Sequence, residues 1–139
     1  MTIRILLADA HASMRENLRA LVERQPEMEV VAEAEDGQTM LQLSGNFRPD
    51  VVVMDTNMAD LKGIDAARQM IIGSPKIRIL ALSMHASRQY ADEMIKAGAC
   101  GYLLKDHAFE ELIPAIQSVA ANRIYLCQGI EDTAAFDSG

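Results

Sequence analysis

Apolar runs that alternate with amphipathic stretches, five times over, predict an α/β protein built on a doubly wound parallel sheet, a (βα)5 arrangement. The first, third and fourth runs are apolar almost throughout, as expected of strands covered on both faces. The length agrees: 139 residues suit one domain, and no apolar run approaches the ~18 residues of a membrane span.

The elements follow in order. Ile3–Ala8 is the first strand, interrupted only by Arg4. Residues 13–25 carry Met14, Leu18, Leu21 and Val22 at helical spacing, and Pro26 stops that helix. Ser13 and Glu16 have the S-x-x-E form of a capping box at its start. Val30–Glu35 is the second strand, Asp36-Gly37 a turn, and residues 38–45 a short helix. Val51–Met54 is a buried third strand after Pro49. Ile64, Ala67 and Ile71 face the core from the next helix, which Gly73 and Pro75 end. Ile77–Leu82 is the fourth strand, residues 87–97 the fourth helix with Gly98 just beyond it, and Gly101–Leu104 the fifth strand. Phe109, Leu112, Ile113, Ile116, Val119 and Ala120 form the stripe of a last helix, with Pro114 near enough to its start to cost little. Residues 128–139 lack periodicity and read as a tail or linker, so residues 1–127 form the domain.

Composition excludes several functions. Thirteen basic against twenty acidic residues give a net charge of −7, which argues against direct nucleic-acid binding by this chain. Aromatic residues are 4% and Trp is absent, so base-stacking platforms are not expected. Cys100 and Cys127 are too few for a disulfide framework and read as reduced thiols of a cytoplasmic protein. No G-x-G-x-x-G follows the first strand, so a dinucleotide site is excluded. His11, His85 and His107 lie on three loops and read as solvated residues rather than metal ligands.

Open parallel sheets hold their sites at the carboxyl ends of the strands. Asp9, Asp55, Ser83 and Lys105 stand at four such ends. Two carboxylates, a hydroxyl and an ammonium on one edge suit phosphoryl transfer to a carboxylate. One Asp attacks phosphorus, a hard divalent cation and the ammonium offset charge, and the hydroxyl donates to a phosphoryl oxygen.

Over residues 2–127 the sequence resembles the receiver domains of two-component response regulators, nearest to the NarL/FixJ/LuxR-type subgroup. The resemblance rests on Ile3-Arg4-Ile5-Leu6-Leu7-Ala8-Asp9-Ala10-His11, Arg48-Pro49-Asp50-Val51-Val52-Val53-Met54-Asp55, Leu82-Ser83-Met84-His85 and Ala97-Gly98-Ala99-Cys100-Gly101-Tyr102-Leu103-Leu104-Lys105. It implies a flavodoxin/CheY-like fold with strand order 2-1-3-4-5. By resemblance Asp55 is the phosphoacceptor, Ser83 and Tyr102 are switch residues, and Lys105 binds the phosphoryl group. Asp9, Asp55 and the carbonyl of Asn57 hold Mg²⁺, and His85 sits where the family modulates dephosphorylation. The implied partners are a sensor histidine kinase as phosphodonor, a second copy in a homodimer, and DNA only through a helix-turn-helix output domain outside this chain. No membrane partner is implied.

Three positions depart from the family pattern. Ala10 replaces the second of two adjacent acids, which removes an anionic Mg²⁺ ligand and predicts weaker binding. Ala59 replaces a Pro after Met58, which predicts a less rigid loop. Asp106 follows Lys105 where many receivers have Pro, as is common in this subgroup. Two readings stay open: a phospho-receiver with weakened metal affinity, and a phosphorylation-independent receiver acting as a protein–protein interaction module. A phosphatase is disfavoured, because Asp55-Thr56-Asn57 lacks the second Asp such enzymes use as acid. No enzymatic activity is expected beyond self-phosphorylation from a phosphodonor and autodephosphorylation.

Overall fold

The computed structural model describes residues 2–127 and 129–130. Its central sheet is built from β1 (Ile3–Ala8), β2 (Met28–Ala34), β3 (Val51–Asp55), β6 (Arg78–Ser83), β7 (Gly101–Leu104) and β8 (Tyr125–Leu126). The order is β2-β1-β3-β6-β7-β8, with all five pairings parallel. A two-stranded hairpin, β4 (Asn57–Met58) and β5 (Leu61–Lys62), lies apart from the sheet. Leaving that hairpin out, the first five sheet strands have the expected 2-1-3-4-5 order. The added edge strand β8 was not foreseen.

Five helices cover the sheet: α1 (Ala12–Glu23), α2 (Gly37–Phe47), α3 (Gly63–Gly73), α4 (Arg88–Ala97) and α5 (Ala108–Ala120). Helix α1 packs beside α5, while α3 packs against both α2 and α4, so two helices lie on one face and three on the other. The consequence is visible in the strands between them. Val51, Val52, Val53, Met54, Ile79, Leu80, Ala81 and Leu82 are each wholly buried. Burying a side chain of Val, Leu, Ile or Met size stabilises by about 1.5–3 kcal/mol. Among the described residues no helix is long and apolar enough to cross a membrane.

Helix ends explain several departures from the sequence reading. Helix α1 begins at Ala12 with His11 as its N-cap and no side-chain capping bond, so the Ser13–Glu16 capping box does not form. Asp36 is not simply a turn residue: its Oδ1 accepts from the Thr39 amide at 2.7 Å and caps α2. Helix α3 buries Ala66, Ala67 and Met70, leaving Ile64 and Ile71 half-buried. Helix α4 stops at Gly98, whose φ of +123° places it where side chains rarely go. Phe109 is 49% exposed, because the buried face of α5 is set by Ala108, Leu112, Ala115, Ile116 and Val119. Pro114 is the seventh residue of α5 rather than part of its first turn, and it sits on the exposed side. An interior Pro forfeits one helical hydrogen bond, so it is not cost-free there. Most of the expected tail, residues 128 and 131–139, lies outside the described residues.

Candidate functional site

Strands β1, β3, β6 and β7 run parallel, so their carboxyl ends meet at one edge. Asp9 follows β1, Asp55 ends β3, Ser83 ends β6 and Lys105 follows β7. Helix packing on both faces sinks these ends, leaving Asp9 and Asp55 each 1% exposed. Between the two carboxylates sits the Lys105 ammonium, with Nζ 2.9 Å from Asp9 Oδ2 and 3.1 Å from Asp55 Oδ2. Burial pulls the Lys105 ammonium towards neutrality, but its attraction to Asp9 and Asp55 prevails, so its pKa lies above the ordinary value.

The other oxygen of each carboxylate is held by backbone. Asp55 Oδ1 accepts from the Asn57 amide at 2.9 Å, and Asp9 Oδ1 from the His11 amide at 2.9 Å. The His11 ring adds a second contact, with Nδ1 3.1 Å from Asp9 Oδ1. Arg15 fixes the same turn by donating to the Asp9 carbonyl at 2.6 Å. One ligand atom from each of Asp9, His11 and Asp55 lies within 4.8 Å of the others. His11 is therefore exposed, as expected of a loop histidine, but it also joins the acidic pair.

A divalent cation fits this arrangement. Asp9 Oδ2 and Asp55 Oδ2 are buried and accept no hydrogen bond; each meets the Lys105 ammonium off the direction of one. Two buried carboxylate oxygens whose one partner is the Lys105 ammonium suit a hard cation that prefers oxygen ligands. Ala10 is exposed and contributes no donor.

The hydroxyl side of the site is joined to an aromatic chain. Ser83 Oγ accepts from the His85 amide at 3.0 Å, and the Tyr102 hydroxyl donates to the His85 carbonyl at 2.7 Å. Tyr102 is wholly buried, and burial pushes its phenol up to about 12. Its ring meets Tyr90 edge-on at 6.1 Å, and Tyr90 meets the His85 ring at 5.5 Å. His107 stands apart, beside Glu110 at 3.6 Å.

The loop after Asp55 is tied down by a residue that sequence reasoning passed over. Asp60 accepts from the Gly37 and Gln38 amides at 2.8 and 2.9 Å, at the N-terminus of α2. Those two bonds hold its carboxyl below the usual range. Ala59 thus sits in a loop anchored by the β4–β5 hairpin and this clamp. Behind the loop, Gly63 lies so close to Thr56 that a Cβ would come within 2.9 Å of the Thr56 side chain.

The response regulator receiver domain family matches residues 5–117. The transcriptional regulatory protein DegU of Brevibacillus brevis is 38% identical over 89% of this chain and 52% of its own length. The uncharacterized transcriptional regulatory protein YxjL of Bacillus subtilis is 41% identical over 85% of this chain and 54% of its own. The chain spans about half the length of these curated relatives. A two-component response regulator of the LuxR family from an Aurantimonas species superposes with a TM-score of 0.91 at 36% identity, covering 99% of each chain. The signal receiver domain of the putative response regulator NarL from Mycobacterium tuberculosis gives 0.82 at 28%, covering 88% of this chain and 98% of that one. With the family matched over most of its length, this chain belongs to the response regulator receiver domains, in the NarL/FixJ/LuxR subgroup.

Proposed function

We propose that this chain takes a phosphoryl group from the phosphohistidine of a sensor histidine kinase onto Asp55 and passes the resulting change to an output. The observation that carries the reading is the buried Lys105 ammonium set between Asp9 and Asp55 at 2.9 and 3.1 Å. A carboxylate oxygen of Asp55 forms the new O–P bond as the N–P bond of the donor breaks; the departing imidazole takes a proton from solvent. Lys105 is placed to follow the charge that a phosphoryl group brings, up to about −2. Asp9, Asp55 and the Asn57 carbonyl would hold Mg²⁺, and Ala10 makes that hold weaker than in a receiver with two adjacent acids. Bound there, the ion would neutralise charge on the phosphoryl oxygens.

Ser83 and Tyr102 form the switch. Both contact the backbone of His85, so a hydroxyl drawn towards the phosphoryl group loosens the bonds that position the β6–α4 loop. His85, exposed in that loop, modulates loss of the phosphoryl group. Residues 1–127 form the receiver and residues 128–139 lead out of it. By analogy with the transcriptional regulators it resembles, the output is control of transcription through a DNA-binding domain beyond this chain, in the cytoplasm, with homodimerisation available to the receiver.

Ala10 favours a second reading, in which partners rather than phosphate set the conformation and the domain acts as a protein–protein interaction module. Titration with Mg²⁺ and beryllofluoride, beside an Ala10→Asp variant, separates the two. A response at Ser83, Tyr102 and α4 in both proteins, with the unaltered chain needing more Mg²⁺, supports the phospho-receiver. A response in Ala10→Asp alone supports the interaction module.

A further inference from the structure

The loop that carries Asn57 is a two-residue hairpin whose turn does not hold itself. Asn57 pairs with Lys62 and Met58 with Leu61, so Ala59 and Asp60 alone make the turn. Two-residue hairpins favour the primed turns, which need a positive φ. Neither Ala59 nor Asp60 has one. A turn with both φ negative splays its strands, and Pro is the residue that presets its first corner. Ala59 occupies that corner and presets nothing. The hold comes from outside the hairpin. Asp60 Oδ1 accepts from the Gly37 amide at 2.8 Å, and Asp60 Oδ2 from the Gln38 amide at 2.9 Å. The first turn of α2 is itself fixed, because Asp36 accepts from the Thr39 amide and caps it. Packing supports these bonds independently. A Cβ on Gly37 would come within 2.6 Å of the Leu61 Cβ, so a larger residue there would push the hairpin away.

At its other end the hairpin reaches Asp55. The Asn57 amide holds Asp55 Oδ1 at 2.9 Å, while Asp55 Oδ2 faces Lys105 at 3.1 Å. The orientation of the carboxyl therefore depends on where the Asn57 peptide stands. We propose that Asp60 is a positioning residue for phosphoryl transfer: by tying the hairpin to the N-terminus of α2, it holds the Asn57 peptide, and through it the Asp55 carboxyl, in the attacking orientation. The tie does the task of the fixed φ that Ala59 lacks. Misplacing a reacting group by about 1 Å costs up to about 10²-fold in rate. A peptide that drifts is therefore felt at Asp55, although Asp60 touches no reacting atom. This inference rests on the reading of Asp55 as phosphoacceptor.

The test follows phosphoryl uptake by the full chain from a phosphoramidate at saturating Mg²⁺. The proteins compared are the unaltered chain, Asp60→Ala, Asp60→Asn, and Asp60→Ala combined with Ala59→Pro. Tm and the backbone amide resonance of Asn57 are recorded for each. Asp60→Ala should lower the maximal rate about tenfold, while the half-saturating donor concentration stays within about twofold. Asp60→Asn, which offers one acceptor oxygen to two amides, should fall between. Ala59→Pro fixes the same turn through its ring, and should return the Asp60→Ala rate to within about threefold of the parent. The Asn57 resonance should move in Asp60→Ala and return in the double variant. An unchanged maximal rate, a rate that follows Tm rather than the Asn57 resonance, or a double variant that regains Tm but not rate overturns the inference. If the unaltered chain takes up no phosphoryl group, the acceptor reading fails instead, and an Asn57 resonance unmoved in Asp60→Ala then overturns the clamp as well.

Discussion

The site has two sides that were built under different rules. On the β3–β7 side, Asp55 and Lys105 are buried, paired at 3.1 Å, and anchored by the Asn57 amide. On the β1–α1 side, Asp9 is equally buried, but the turn beyond it is exposed, with Ala10 where the family pattern has an acid and the His11 ring against Asp9 Oδ1. The buried side could not absorb such an exchange, because an unpaired charge with no water access is expensive. The exposed side could, because solvent covers whatever the side chain leaves bare. Asp55 and its Lys105 partner are constrained by folding itself, while the exposed turn after Asp9 is free to vary.

Four changes would break or sharpen that contrast. Asp55→Asn should abolish phosphoryl uptake from a small-molecule donor, read as loss of the slow band on a phosphate-affinity gel; residual labelling would move the acceptor to another residue. Lys105→Met leaves two carboxylates facing each other and should cost about 3 kcal/mol of stability by urea unfolding. Adding Asp9→Asn should recover much of that loss, and a purely additive double variant would mean the three groups are uncoupled. The pH dependence has a definite sign. The Lys105 pKa is raised above 10.5, so its contribution is full below that value and is lost as pH rises through the higher folded value.

Gly63→Ala pushes a methyl group against Thr56, at 3.0 Å from its Cα, immediately after Asp55. Such overpacking costs about 1–3 kcal/mol, and it should slow phosphoryl uptake as well as lower the unfolding midpoint. Asp60→Asn is the mildest. The Asp60 carboxyl is held below its ordinary 3.8, so its contribution is present above that pH and fades as pH falls through the folded value. The variant should therefore show a flatter dependence of Tm on pH below about 4 than the parent. Identical slopes would mean that the clamp on α2 does not contribute.

Legibility in the sequence tracked the range of the interaction. Gly101–Leu104 is placed to the residue because a short apolar run between Gly98 and the polar Lys105-Asp106-His107 has few alternatives. Asp9, Asp55, Ser83 and Lys105 could be set on one edge because parallel crossovers leave no other place for them. Tyr125–Leu126 was missed as a strand because two residues carry no period, and only β7 alongside makes them one. The capping box at Ser13 has the right letters two residues beyond the real N-cap, His11. The Asp60 clamp joins residues more than twenty apart, and no local pattern announces it. His11 is exposed, as its loop position suggests, and only the folded turn reveals that its ring also meets Asp9.

The strand β8 has a mechanical side. Its pairing lays Tyr125 beside Gly101 and Leu126 beside Tyr102. The Cys127 amide then donates to the Tyr102 carbonyl at 3.1 Å, and the Cys127 sulfur accepts from the Leu104 amide at 3.2 Å. The chain leaving the domain is thus harnessed to the strand that bears Tyr102 and leads into Lys105. A backbone displacement there must either drag residue 127 along or snap its tether, so the departing chain works as a drawbar rather than a slack rope.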